Sequence, residues 1–426
     1  MLDIKFIRDN VDLVKKATKD KLFNVDIDKL LLIDNDLKAL TKQLDDLKEE
    51  RNKLSSSIPS LSGDEKSIKI AYVKELKVKI ADLESNYQPL KDEFDNLMLM
   101  VPNPTLPEVP IGKDENDNVE IKTWGEIRTF DFNPKDHIEL GLDLDLMDFV
   151  HAAKIAGART YYLKNDAMLL EMAICRYVLD KLNEKGFTPM SVPVMVKDIA
   201  MKGTGYFPLG KEQAYEITED GLYLVGTSEV SLVSYHNGEI LNKKDLPIMY
   251  AGYSNCFRRE AGTYGKDTKG LYRVHQFTKI EQVIICDADS DMQYQLHDFL
   301  LNNAEEIMQD LKLPYRVVEV CTGDIGIGQI RKHDIEAWMP SRNAYSETHS
   351  CSSFNDFQSR RSNIRYKDDD GITKHVYTLN NTAVASPRIL IPILENYQNA
   401  DGTITIPEVL VPYMGGKTKI EAKIRS

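Results

Sequence analysis

The sequence predicts an α+β protein in two parts, a helical hairpin arm followed by a mixed body. Three observations carry this: two long apolar runs in 3-4 alternation near the start, a proline-rich break after them, and about 300 further residues in which helical and alternating patterns are interleaved. In the first run Leu30, Ile33, Leu37, Leu40, Leu44, Leu47 and Leu54 keep the spacing except at Arg51. In the second Val73, Leu76, Ile80, Leu83, Tyr87, Leu90, Phe94 and Leu97 keep it throughout, which is the coiled-coil pattern. The connector, Ser55 to Ser67, holds Pro59 and Gly63 and is short, so the helices are expected to fold back antiparallel. Each arm of about 27 residues would extend roughly 40 Å. A lone helical pair has no thick core, so reach explains its length better than stability does.

Charge is uneven along this arm. From Arg51 to Lys79 seven basic residues (Arg51, Lys53, Lys66, Lys69, Lys74, Lys77, Lys79) face three acids, a net of +4, whereas Asp28 to Glu50 carries four lysines against seven acids. A positive far end on a projecting arm suits an elongated RNA, and a solvated coiled-coil face that pairs with a protein is the even alternative. Next comes Val101 to Pro110, with prolines at 102, 104, 107 and 110, a stiff linker. The expected organisation is an arm-bearing domain over residues 1–100, a linker over 101–120 and a body over 121–426.

The whole chain, 426 residues with a net charge of −13, is acidic, so any nucleic-acid contact must come from local charge. No apolar stretch approaches the roughly 20 residues of a membrane helix. Asp3, Lys5, Arg8 and Asp9 interrupt any signal-peptide core, and a cytosolic protein is expected. Five scattered cysteines without CxxC spacing argue against a disulfide framework or a cysteine-built zinc site.

Within the body, Phe257 to Glu281 reads as a β-hairpin with charge where sheets normally carry hydrocarbon. Side chains alternate along a strand, so Arg258 and Glu260 share one face of the outgoing strand, and Arg273, His275, Phe277, Lys279 and Glu281 one face of the return. Ionisable groups on a strand are costly unless paired or ligand-bound, and the opposite face, with Val274, Ile280 and Ile284, is ready for burial. Between the strands lie Gly262, Gly265 and Gly270 with Lys266 and Lys269, a basic loop suited to an anion. Together these suggest a nucleoside triphosphate site. Elsewhere, Met168 to Lys185 reads as an amphipathic helix stopped by Gly186, and Leu222 to Val225 as a strand leading into Thr227, Ser228 and Glu229. Tyr345 to Ser350 carries Glu347 and Ser350, and Thr378 to Leu394 carries Asn380, Thr382 and Arg388.

This order resembles the three motifs of class II aminoacyl-tRNA synthetases: Gly186-Phe187 to Pro193, Phe257-Arg-Arg-Glu260, and the strand and helix around Arg388. Within that class the chain is similar to the seryl-tRNA synthetase family over essentially its full length. The strings that carry this are Met1-Leu-Asp-Ile, Phe257-Arg-Arg-Glu-Ala-Gly, Val274-His-Gln-Phe with Lys279 and Glu281, Cys321-Thr-Gly-Asp-Ile-Gly, Asp356-Phe-Gln-Ser-Arg-Arg, Glu395-Asn-Tyr-Gln and Pro412-Tyr-Met-Gly-Gly-Lys.

The resemblance implies a six- to seven-stranded antiparallel sheet with flanking helices, dimerising through the first motif. It also implies an arm that embraces the variable arm of tRNA(Ser), with tRNA(Sec) as a candidate second substrate, and serine activation by ATP with Mg²⁺. It places Arg258 on the α-phosphate and the serine carboxylate, Arg388 on the γ-phosphate, and Phe277 against adenine, with Arg259, Glu260 and Val274, His275 and Gln276 beside it. Glu347 and Ser350, flanking Thr348 and His349 in the ATP site, would hold Mg²⁺. Glu281 would face the serine hydroxyl and Thr227, Ser228 and Glu229 the ammonium, with Thr382 closing the pocket. Lys266 and Lys269 would steer the acceptor end of the tRNA, and Arg51, Lys53, Lys66, Lys69, Lys74 and Lys77 its variable arm.

The sequence departs from the family pattern at Ser228, where alanine is usual, and at Thr348-His349, in place of a small or aliphatic pair. It departs again at Ala383 to Pro387, which replaces a glycine-rich run. There Ser386 and Pro387 are expected to cap and start the helix carrying Arg388, and Pro392 to kink it. Two rivals are an amino acid:carrier-protein ligase, a relative that lacks the long arm, and a non-catalytic dimeric paralogue, which would be expected to lose Arg258, Glu281 or Arg388.

Overall fold

The computed structural model describes residues 1–262 and 269–422, and the chain divides into two units: Leu2–Lys19 with Phe23–Pro102, and Met1, Asp20–Leu22 with Asn103–Ser426. In the first, α1 (Ile4–Asp9) and α2 (Val11–Asp20) precede two long helices, α3 (Ile27–Ser57) and α4 (Gly63–Met100). Asp26 caps α3, its carboxylate accepting from the Lys29 N–H at 2.9 Å. Each of the heptad positions is buried or half-buried, with Leu30, Ile33, Leu37 and Leu44 on α3 and Val73, Leu76 and Ile80 on α4 the most enclosed. The connector is shorter than expected: a 3₁₀ turn over Ile58–Ser60 suffices, and α4 starts at Gly63, where φ is +62°. The helix passes through Pro89. Lys48 and Glu84 bridge the pair at 2.7 Å, an exposed contact of small energetic weight.

The second unit is built on an eight-stranded sheet: β1 (Val119–Trp124), β2 (Thr188–Ser191), β3 (Ile248–Phe257), β4 (Gln276–Cys286), β5 (Tyr315–Glu319), β6 (Arg331–Met339), β7 (Ala344–Ser353) and β8 (Tyr377–Ala385). Its order is β1-β5-β6-β7-β8-β4-β3-β2, antiparallel except for the β2–β3 edge. The sheet is thus wider than the six or seven strands expected. β1 and β2 are short edge strands, and β1 straddles the boundary drawn at residue 120. The proline-rich segment also runs against this unit: the Asn103 N–H donates to the Ile327 carbonyl at 2.8 Å and the Leu106 N–H to that of Ile330 at 3.0 Å.

Alternation explains how the sheet both buries and presents. On β4 the even residues Ile280, Ile284 and Cys286 join a core with Leu170, Ile174, Val178 and Leu182 of α5 (Asn165–Glu184), Leu300, Ala304 and Ile307 of α6 (Ser290–Asp310), and Ile389, Leu390 and Ile393 of α7 (Ser386–Asn396). Polar bonds fix the layers. Asn303 donates to Gln282 Oε1 at 2.8 Å, and Asn381 donates to the Leu300 carbonyl at 2.7 Å. The odd face is divided: Val283 and Ile285 pack with Leu232 and Val233, whereas Phe277 and Lys279 line the site and the buried Glu281 is ion-paired to Lys279. Helix α7 begins one residue earlier than expected, with Ala385 as its cap, and runs through Pro392 to Asn396.

Candidate active site

The cavity lies where the open ends of β4, β7 and β8 meet the start of α7. It is lined by Phe277, Lys279, Thr382, Glu347, Arg388, Arg258 and Glu260. The ladder between β3 and β4 ends at Phe257↔Gln276. Arg258 and Glu260 therefore stand just beyond the strand on which they were expected, with Arg258 N–H still bonded to the His275 carbonyl at 3.0 Å. Glu260 adopts φ of +52°, unusual for a residue with a side chain, which turns the chain out of the sheet and brings its carboxylate 3.6 Å from Arg273.

Both arginines lie over aromatic rings. The Arg258 guanidinium sits 5.2 Å from the Phe277 ring centre, and that of Arg388 4.6 Å from Tyr272. Arg388 also donates to Glu347 Oε1 at 3.0 Å. Burial pushes the Glu347 carboxyl up, but Arg388, Lys332 and Arg258 outweigh it and hold it at about 2, so it is ionised. One cation and one anion thus face the cavity beside a second cation, an arrangement suited to a polyphosphate and a divalent ion.

Two of the lining residues, Lys279 and Thr382, lead to buried carboxyl groups. Glu281 is 2% exposed, ion-paired to Lys279, and accepts from Thr382 Oγ1 at 3.4 Å; Thr382 stands opposite it in the ladder. Glu229, at the start of the short helix Glu229–Ser234, accepts from Tyr206 at 2.9 Å and from Gln358 Nε2 at 2.7 Å. Burial and then the neighbouring Glu281 carboxylate push the Glu229 carboxyl up to about 7, against those two hydrogen bonds.

A ligand ammonium would favour the ionised form, so binding is linked to proton loss. Below about pH 7 the carboxyl is neutral, and the KM of an amino-acid substrate should rise, approaching tenfold per unit on the acid side. Glu229→Gln should leave a high, flat KM. A wild-type KM that is constant from pH 5.5 to 8 would contradict this assignment.

The other expected site residues divide clearly. Val274 and Thr348 line the cavity. Thr227 is buried, its Oγ1 accepting from the Glu229 N–H at 3.3 Å. Ser228 points away: its hydroxyl donates to the Gly252 carbonyl at 3.0 Å, and a side chain on Gly252 would strike Ser228 and Leu232. His275 turns its ring to the Arg258 carbonyl at 2.9 Å, and Arg259 and Gln276 are exposed. His349, expected in the ATP site, is 1% exposed between strands, where burial lowers its pKa to about 4. Neighbours on one strand point to opposite faces, so a contiguous string overstates what reaches a ligand.

For Mg²⁺ the donors are hard oxygens, the ionised Glu347 and the Ser350 hydroxyl. Opposite Ser350 in the ladder lies Asp334, a buried carboxylate that accepts from Ser350 while its Oδ1 makes no hydrogen bond. This set fits the ion's preference for oxygen. Among the described residues no group of three or more His, Cys, Asp and Glu side chains is arranged around an ion, so phosphate oxygens would complete its shell.

Of the basic residues on the arm, Lys53, Lys66, Lys74 and Lys77 are exposed and Arg51 and Lys69 half-buried, with Lys53 paired to Glu49 at 2.5 Å. Lys269 is exposed; Lys266 lies outside the described residues. Sequence reasoning missed Tyr206, Gln358 and Tyr272. Gln358 lies in the quoted Asp356-Phe-Gln string, the one signal that marked it.

Comparison with known proteins identifies the family and the fold. Residues 214–397 match the class II tRNA synthetase core domain (G, H, P, S and T), and residues 1–105 the seryl-tRNA synthetase N-terminal domain. A serine–tRNA ligase of Deinococcus radiodurans is 44% identical over 425 residues, with all of both chains covered. One from Treponema denticola is 45% identical, covering 97% of this chain and 99% of its own. Among solved structures, seryl-tRNA synthetase from Pyrococcus horikoshii complexed with ATP superposes over all of both chains with a TM-score of 0.90 at 40% identity. The cytoplasmic serine–tRNA ligase of Naegleria fowleri in complex with AMP gives 0.86 at 30%, covering 100% of this chain and 99% of its own.

Proposed function

This chain belongs to the seryl-tRNA synthetase family, and from that premise we propose how its residues divide the work. It is a serine–tRNA ligase: it activates L-serine with ATP to seryl-adenylate, then transfers the seryl group to tRNA(Ser). The observation that carries the residue assignment is the convergence of Arg258, Arg388 and Glu347 with Lys279 and Thr382 in one cavity, the last two both bonded to the buried Glu281.

In the first step a serine carboxylate oxygen attacks the α-phosphorus in line, forming the acyl–phosphate bond as the bond to pyrophosphate breaks. Such a reaction needs positioning and charge stabilisation more than covalent help from the protein. Arg258 bridges the α-phosphate and the serine carboxylate, bringing nucleophile and electrophile together. Arg388 holds the γ-phosphate end. Glu260, the backbone of Val274, His275 and Gln276, and Phe277 receive adenine. Bound at Glu347 and Ser350, Mg²⁺ supplies charge neutralisation on the phosphates. Glu281 accepts from the serine hydroxyl, Glu229 and Thr227 take the ammonium, and Thr382 leaves no room for the extra methyl of threonine. A pocket built to bond a hydroxyl rejects its hydroxyl-free analogue by roughly 10⁴ to 10⁵. The test is pyrophosphate exchange into ATP driven by serine and not by alanine.

The basic arm and Lys269 serve the tRNA, with tRNA(Sec) as a second acceptor read in the same way, and the chain acts in the cytoplasm. No described helix is long and apolar enough to cross a membrane, and the five cysteines are unpaired thiols. We also assign a homodimer. Helix α5 exposes Met168 at 42%, Leu169 at 52% and Met172 at 57%, and nearby Ile155 is 75% exposed. Clustered apolar surface of this kind supports an interface with a second copy, beside the first motif through which the family resemblance implies pairing. Sedimentation should give a dimer at micromolar concentration and Met172→Glu a monomer. A monomeric wild-type protein would remove the assignment.

A further inference from the structure

Two strands that hold opposite ends of the cavity are joined at their open end by a side chain and not by backbone. Strands β7 and β8 pair at Ser353↔Leu379, Ser352↔Asn380 and Cys351↔Asn381, and the ladder stops there. Just beyond, each strand carries one extra residue against its other neighbour. On β7 the register with β6 jumps from His349↔Ile335 to Glu347↔Glu336, leaving Thr348 as a bulge. On β8 the register with β4 jumps from Val384↔Ile280 to Thr382↔Glu281, leaving Ala383 as a bulge. Each bulge adjoins a residue assigned to substrate: Thr348 follows Glu347, and Ala383 follows Thr382. Bulges bend a strand and re-aim side chains, and need something to fix the angle.

His349 spans the opening. Its Nε2 lies 3.1 Å from the Ala383 carbonyl and its Nδ1 2.8 Å from Thr348 Oγ1, which is itself 3.1 Å from the Ile335 carbonyl. A carbonyl oxygen only accepts, so Nε2 carries the proton; in the neutral ring Nδ1 then accepts, and the single Thr348 hydroxyl proton serves either Nδ1 or the Ile335 carbonyl, one at a time. The ring is 1% exposed and Thr348 3%, and buried polar contacts of this kind are costly to leave unmade.

We propose that His349 is a positioning residue that clamps the Thr348 bulge to the Ala383 bulge, holding the metal-and-ATP side of the cavity in register with the serine side. It touches neither substrate. It acts through Glu347 on one strand and Thr382 on the other, so its loss loosens both subsites together. The inference rests on the proposed division of the cavity between ATP and serine.

The test compares His349→Ala, His349→Gln and His349→Asn in the full-length protein by serine-dependent exchange, and by hydrogen exchange of the substrate-free chain. Alanine should raise the KM for serine and for ATP each by about tenfold, the size of one hydrogen bond, and speed amide exchange over residues 346–349 and 382–385. The Gln amide reaches the position of Nε2 and should rescue the serine KM. The Asn amide reaches that of Nδ1 and should rescue the ATP KM. Unchanged KM values in His349→Ala, or three variants altered equally and in step with lost thermal stability, would overturn the clamp. If the wild-type protein shows no serine-dependent exchange, the activity assignment falls. Hydrogen exchange still decides the clamp: lost protection at 382–385 in His349→Ala supports it, and unchanged protection overturns it.

Discussion

Arg258→Ala should abolish serine-dependent pyrophosphate exchange, with kcat/KM falling on the order of 10³-fold, from the loss of a charge-stabilising donor together with the positioning it provides. The guanidinium is half-buried over Phe277, and its hydrogen bonds to the Gly226 carbonyl are long, 3.4 Å from both Nε and Nη2. Those bonds orient the group while leaving it room for stronger acceptors. Lysine at this position keeps the charge but cannot bridge phosphate and carboxylate with a planar fork. Arg258→Lys should therefore recover a small part of the rate, remaining about 10²-fold below wild type. Both variants should fold, since Arg258 stands past the last ladder pair of β3 and outside the apolar core. Retained exchange in Arg258→Ala would remove the arginine from the reacting centre.

The second large effect separates the two halves of the reaction. Deleting Asp28 to Met100 should spare serine-dependent exchange within about twofold and lower tRNA charging by 10²-fold or more. The cavity and its core lie wholly in the unit containing residues 103–426. The removed segment carries the Arg51 to Lys79 run, whose net charge of +4 stands against −13 for the whole chain. Changing Lys74 and Lys77 to alanine in the intact arm should weaken charging more gently and lessen its salt dependence, by roughly one unit of log slope for each phosphate that is no longer neutralised. Normal charging by the truncated protein would show that the arm serves another partner.

Much of this was legible in the residues, and what was not has physical causes. The arm could be read because heptad spacing repeats, so Leu30 to Leu54 and Val73 to Leu97 reinforce one another. The charged face of β4 could be read because parity is strict, and Phe277, Lys279 and Glu281 do share one side. Where a strand ends is set by backbone angles that composition does not reveal. The ladder of β3 stops at Phe257, before Arg258, and Glu260 turns the chain at φ of +52°, two residues ahead of Gly262, the glycine that marked the loop. The bulges at Thr348 and Ala383 were invisible for the same reason, since one extra residue alters register and leaves composition unchanged. Ser228 and His349 were expected at the ligand because they sit inside short motifs, yet Ser228, at the turn that starts the helix Glu229–Ser234, bonds the Gly252 carbonyl, and His349 is buried between strands. Tyr206 and Gln358 reach Glu229 only through tertiary packing, from 23 residues before it and 129 after it. The two edge strands that widen the sheet are short, and β2 pairs in parallel, a pattern that local sequence does not encode.

The most direct measurement is amino-acid-dependent pyrophosphate exchange into ATP by the purified wild-type protein, with serine, alanine, glycine and threonine compared at equal concentration. The cavity as described, with Glu281 and Thr382 closing on a hydroxyl and the arginines on phosphate, predicts exchange with serine and a kcat/KM for alanine lower by roughly 10⁴. Exchange supported by alanine as well as by serine would contradict it.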